Sequence, residues 1–182
     1  MQDPHPTSHP TRRGLLALGV GLGASAALPS RALAQDAQAP LVVYAVRHAE
    51  KGGGRDPELT EAGAARAAEL ARVLADVSLD AVYSTNTRRT KLTAQPVADG
   101  HDLEIQTYDP AGLAKTLIAG EARTALVVGH SNTTPDLIRT LGGEFELKLL
   151  PGYDALLIAI VLPGQTLVQH LHFGAVSKDG GH

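Results

Sequence analysis

Two histidines and a set of arginines stand where short apolar runs of the chain end. Arg47-His48 follows the run over residues 41–46. Ser84 and, a few residues on, Arg88-Arg89 follow residues 79–83, and Gly129-His130 follows residues 125–128. In open α/β sheets ligands bind beyond the carboxyl ends of the strands, so these residues are predicted to share one crevice. Arginine and histidine without a carboxylate cage suit a dianionic phosphate, because guanidinium forks grip its oxygens in pairs and their charge cannot be titrated away. A neutral imidazole in such a place is also a nucleophile. Phosphoryl transfer to its nitrogen divides one hydrolysis into two easier steps, while the flanking cations offset charge on the equatorial oxygens. Chemistry of this kind needs no metal and no cofactor. The sequence has neither a Walker loop nor an Asp-rich metal cluster.

Bringing those side chains together requires a sheet and its covering helices, and the chain alternates accordingly. Residues 41–46 are predicted to form a buried strand. Residues 60–76 read as an Ala/Leu-rich helix with Thr60 as its N-cap. Residues 79–83 form a second strand, followed by a helix over 87–98 that Pro96 is expected to distort or end early. A weak third strand covers 103–105, and Pro110 suits the first turn of a helix reaching Ala119. Residues 125–128 form a strong buried strand, and 135–141 a short helix closed by Gly142-Gly143. Residues 155–162 and 167–173 pair as a hairpin through Pro163-Gly164-Gln165. With no internal repeat and no second domain, the fold class is α/β: a single-domain three-layer α/β/α sandwich with a mainly parallel sheet.

Composition narrows the possible partners. The 182 residues, 43% apolar and 19% charged, are enough for one buried core. A formal net charge of −3 argues against a nucleic-acid binder that relies on bulk positive charge, and two Phe, four Tyr and no Trp leave few platforms for stacking bases. The lack of Cys removes disulfides, thiolate metal sites and a Cys nucleophile. At the N-terminus, Arg12-Arg13 precedes a Gly/Ala/Leu run ending near Leu28, and Ala32-Leu33-Ala34 before Gln35 is a small-x-small cleavage pattern. Residues 1–34 are therefore expected to be an export signal of the twin-arginine type, with an ordinary secretory signal as the alternative. The run is too short and Gly-rich for a bilayer span. Within it, Gly21-x-Gly23-x-x-Ala26 imitates a dinucleotide fingerprint, but no strand precedes it and the match is rejected. Residues 35–182 are expected as the mature domain, periplasmic or secreted, without a stable membrane span.

Four ordered motifs carry a family resemblance. Arg47-His48-Ala49-Glu50-Lys51 is similar to the Arg-His-Gly/Ala signature of the histidine phosphatase superfamily, in its phosphoglycerate-mutase-like branch and among its small phosphohistidine-phosphatase-like members. Leu59-Thr60-Glu61-Ala62-Gly63 resembles that family's Leu-Thr-x-x-Gly helix start. Residues 83–94, with Arg88-Arg89 and Thr93-Ala94, resemble its second arginine motif, and residues 127–133 its second histidine motif. The resemblance implies phosphomonoester hydrolysis through a phosphohistidine, with a small phosphorylated compound or a phosphoprotein as substrate. It makes His48 the nucleophile and Arg47 a phosphate ligand. Counting back from Thr93-Ala94, it makes Arg89 the second arginine, with Arg88 a solvated helix residue, and His130 the second histidine on the phosphate. One feature departs from the family. Mutase-like members carry a Glu proton donor after the third strand, where this chain has Tyr108-Asp109-Pro110. Asp109 is the positional candidate, though a helix cap before Pro110 needs no other role. Glu50 is the rival, unless it forms a surface ion pair with Lys51. The chain has no insertions long enough for a mutase cap, and an open pocket admits water to a phosphohistidine.

Three other readings compete. Gly129-His130-Ser131-Asn132-Thr133 between a strand and a helix imitates a serine-hydrolase elbow, with Asp154 and His170 in the expected order. Its fifth residue is Thr rather than Gly, and Arg47-His48 and Arg89 are then left without a purpose. His170-x-His172 offers two metal ligands on one face of the last strand, with Leu171 and Phe173 on the other, but no third ligand at a convincing distance, since His182 sits in a Gly-rich tail. An inactive phosphate-binding module would need the same arginines as the enzyme.

Overall fold

The alternation of apolar runs and amphipathic stretches becomes six strands and four helices in residues 39–177, the residues described in the computed structural model. The export signal expected over residues 1–34, and His182, lie outside the described residues. The elements follow the chain as β1 (Leu41–Arg47), α1 (Glu61–Leu74), β2 (Ala81–Ser84), α2 (Arg88–Gly100), β3 (Ile105–Thr107), α3 (Leu113–Ala119), β4 (Thr124–Gly129), α4 (Thr133–Thr140), β5 (Ala155–Leu162) and β6 (Gln165–His172). The sheet order is β3-β2-β4-β1-β5-β6. β1, β2, β3 and β4 are parallel where they pair, while β5 runs antiparallel to β1 and to β6. Each parallel neighbour is reached through a helix, as a crossover requires.

Strand alternation sends successive side chains to opposite faces, and both faces are covered. On one, Leu117 of α3 and Ile138 of α4 pack with Val43, Ala45, Val127 and Leu157. On the other, Leu70 and Leu74 of α1 and Val97 of α2 pack with Val46, Val82, Leu126 and Val128. This double burial makes the three layers and accounts for the nearly continuous apolar runs of β1 and β4. No helix among the described residues is long and apolar enough to cross a membrane.

Several boundaries differ from those expected. Pro96 lies inside α2, which runs on to Gly100. Burial of Val97 and Ala98 against the sheet outweighs the backbone hydrogen bond that a proline cannot make. β3 begins two residues late, because Leu103 N donates to Ala98 O and Asp102 takes φ 54°, so residues 101–104 are still turning off α2. Pro110 lies in a turn ahead of α3 rather than in its first turn, and the hairpin closes through Pro163-Gly164 alone, with Gly164 at φ 81°.

Candidate active site

The register of the central strands brings the chemistry-bearing residues to one edge. Arg47 pairs with Gly129 across β1 and β4, and Ser84 with Val128 across β2 and β4. Beyond these ends, His48 N donates to Gly129 O at 2.9 Å and Thr85 N to Val128 O at 3.3 Å. His48, His130 and Thr85 therefore leave three adjacent strands at the same level. The flanking elements are tied to the same place: Thr93 Oγ1 accepts from Ala49 N at 2.9 Å and donates to Arg89 O at 2.7 Å, and Thr134 Oγ1 donates to Val46 O at 3.1 Å.

His48 is 3% exposed. Its Nδ1 lies 2.8 Å from Ala49 O. A carbonyl only accepts, so the proton sits on Nδ1 and the lone pair on Nε2. Burial, aided by Arg47, Arg89 and His130, lowers its pKa to about 4, against the favourable bond to Ala49. His130 stands beside it, ring centroids 5.5 Å apart. Arg89 Nη2 donates to His130 Nδ1 at 3.4 Å, so His130 carries its proton on Nε2 and gives it to Thr85 Oγ1 at 3.0 Å. Thr85 Oγ1 donates in turn to Thr90 Oγ1 at 3.0 Å, and Thr90 to Thr85 O at 2.9 Å. Burial first, then Arg89 and Arg47, lowers His130 to about 4 as well. Two neutral imidazoles thus face two guanidiniums.

Arg47 is 5% exposed, and burial lowers its pKa from the usual guanidinium value. Arg89 and Arg88 diverge although adjacent, as one residue of helix turns a side chain by roughly 100°. The Arg89 side chain is 19% exposed and reaches His130, whereas that of Arg88 is 59% exposed and pairs with Glu58. Asp56 borders the site: its Oδ1 accepts from Arg88 N at 3.0 Å and lies 3.7 Å from Arg89 Nη1. Buried Arg89 Nε has no hydrogen-bond partner.

The two carboxylates nominated as proton donors lie apart from this cluster's hydrogen bonds. Glu50 does not pair with Lys51. It holds Arg66, whose Nη2 and Nε reach its carboxylate at 2.7 and 2.9 Å, and Arg66 also donates to Phe173 O and Ala175 O. These bonds hold the Glu50 carboxyl below its usual pKa, although burial opposes them and is the larger single influence. Asp109 is exposed, its Oδ1 accepting from Ala111 N at 3.2 Å as a turn cap. No hydrogen bond joins Ser131 to a histidine among the described residues, and Asp154 meets His172 Nδ1 at 3.3 Å, not His170. The His170 and His172 rings are tilted by 38° with centroids 4.8 Å apart, and no group of three His, Cys, Asp or Glu among the described residues is placed to hold a metal.

Residues 43–110 match the model of the histidine phosphatase superfamily, branch 1. Over those residues the chain is similar to the histidine phosphatase superfamily. Over 72 residues it is 40% identical to phosphoserine phosphatase 1 of Hydrogenobacter thermophilus, a match covering 35% of this chain and 34% of that protein, about a third of each. Its fold is similar to that of the SixA protein of Agrobacterium tumefaciens, with TM-score 0.58 and 24% identity over 74% of this chain and 98% of that one. It is also similar to a phosphoserine phosphatase variant of Entamoeba histolytica solved with phosphoserine, with TM-score 0.54 and 17% identity over 74% of this chain and 97% of that one. A mycobacterial glucosyl-3-phosphoglycerate phosphatase gives TM-score 0.53 and 13% identity over 75% and 100%. Thr85, Asp56, Arg66 and Tyr153 are the site neighbours that sequence reasoning gave no role. Thr85 follows Ser84 at a strand end and was open to the same argument. The other three act through contacts between distant segments, which no spacing signals.

Proposed function

We propose that this protein hydrolyses phosphomonoesters through a phosphohistidine on His48. The observation that carries the reading is the buried His48 ring, its proton committed to Ala49 O, with His130 5.5 Å away between ring centroids and the charges of Arg47 and Arg89 acting on it. In the first step Nε2 attacks phosphorus, the P–O bond to the leaving group breaks, and the departing oxygen takes a proton. In the second, water attacks the phosphohistidine, releasing phosphate and restoring the neutral imidazole. Arg47 and Arg89 supply the positive charge that both transition states need. With Glu50 committed to Arg66, Asp109 is the proton donor in this reading. The similarity to a protein named phosphoserine phosphatase 1 supports a small phosphorylated compound as substrate; a phosphoprotein is the alternative. We also assign the protein to the periplasm or the exterior, on the Arg12-Arg13 address alone.

The test is a panel of alkyl and nitrophenyl phosphates assayed with EDTA. Turnover is expected to persist in EDTA and to vanish in His48→Ala. General acid catalysis contributes about 10²–10⁴-fold, so Asp109→Asn is expected to approach that loss on alkyl phosphates and to lose little on nitrophenyl phosphate, whose leaving group barely needs the proton. Equal losses on both classes would remove Asp109 from the acid role. Full activity in His48→Ala would overturn the reading.

A further inference from the structure

The guanidinium of Arg47 is held by a segment that the chain reaches only after α4. Arg47 Nη1 donates to Leu150 O at 3.4 Å and to Gly152 O at 3.5 Å. Both bonds lie at the long end of the hydrogen-bonding range. Arg47 Cζ also lies over the ring of Tyr153, 4.3 Å from its centroid. Tyr153 is 7% exposed, and its ring centroid is 5.8 Å from that of His48. The segment is itself anchored to the second histidine loop, because Leu150 N donates to Ser131 O at 2.8 Å.

We propose that Tyr153 is a positioning residue for phosphate binding: its ring face stacks on the Arg47 guanidinium and sets the plane in which that fork meets a phosphoryl group. The proposal rests on the reading of Arg47 as a phosphate ligand. Bidentate recognition is planar, so a fork tilted out of plane keeps its charge and loses its paired hydrogen bonds. A ring face attracts a desolvated guanidinium through its quadrupole and fixes both position and tilt. An aliphatic side chain of similar bulk fills the space and does neither.

Inorganic phosphate, titrated calorimetrically into the purified protein, reads this directly and does not depend on turnover. Tyr153→Phe keeps the face and is expected to bind phosphate within about twofold of the parent, while Tyr153→Leu is expected to lose about tenfold, the scale of a desolvated cation–π contact. A series of increasingly fluorinated phenylalanines at 153 weakens the face at nearly constant volume. Phosphate affinity should fall steadily along it while the melting temperature stays level. The fluorinated series carries the test even where Tyr153→Leu does not fold. In an Arg47→Ala background, neither leucine nor fluorine should change affinity further. A flat fluorine series on an otherwise Arg47-dependent affinity overturns this proposal alone. Undiminished phosphate affinity in Arg47→Ala overturns the underlying reading of the site.

Discussion

Arg88 and Arg89 are chemically identical neighbours, and their surroundings decide which one serves the site. Arg89 is held between Asp56 and His130, while Arg88 lies on the surface against Glu58. Arg89→Ala is expected to lower kcat/KM on a phosphomonoester by about 10³-fold, the low end of what a transition-state arginine contributes. Arg88→Ala should stay within a few-fold, since an exposed ion pair contributes little. Side-by-side assays decide, and the reverse ranking would contradict the geometry. The histidines make a second residue-scale prediction. Both folded pKa values, about 4, lie below the ordinary 6.5. Between those pH values the unfolded chain binds the extra protons, so stability is greatest above about pH 6.5 and falls as acid is added towards pH 4. Each histidine loses at most about 1.4 kcal/mol for every tenfold difference in proton affinity between the unfolded and folded chain. Melting temperatures from pH 4.5 to 7.5 should therefore fall with acid in the parent and fall less in His130→Asn. Identical slopes would contradict a buried neutral pair.

At the scale of elements, two glycines let helices approach the strand ends that carry the histidines. A Cβ at Gly63 in α1 would lie 2.1 Å from Glu50 O, and one at Gly129 would lie 2.7 Å from Thr133 Oγ1 and 2.9 Å from Tyr108 Oη. Helix propensity alone favours Gly63→Ala by about 1 kcal/mol. Overlap with the Glu50 backbone outweighs this, so the substitution is expected to lower Tm by roughly 5–10 °C. Gly53→Ala, with nothing within 4 Å of the added carbon, should leave Tm unchanged. A stabilised Gly63→Ala would show that α1 does not rest on the backbone of Glu50. This contact gives the Leu-Thr-x-x-Gly motif a physical meaning: Thr60 caps the helix, accepting from Gly63 N at 3.2 Å, and Gly63 admits the Glu50 backbone of the segment that follows β1.

Across the whole molecule, what was legible in the sequence was whatever local pattern determines. Apolar runs located the strands, and the residues following them located Arg47, His48, Arg89 and His130, because parallel strands align their carboxyl ends whatever their order. The sheet order itself was not legible, and neither were Arg66 on Glu50 or Tyr153 on Arg47, since each joins segments far apart in the chain. Pro96 misled for a related reason: local backbone preference predicts a break that tertiary burial overrides. In the proposed reaction the sheet edge formed by β1 and β4 presents His48 as the phosphoryl acceptor. The sharpest check is rapid quenching into alkali during turnover of a radiolabelled phosphomonoester, followed by peptide mapping. Acid-labile, base-stable label is expected on the peptide containing His48, and none in His48→Ala. Turnover without such label, or acid-stable label on the peptide containing Ser131, would refute a phosphohistidine at this position.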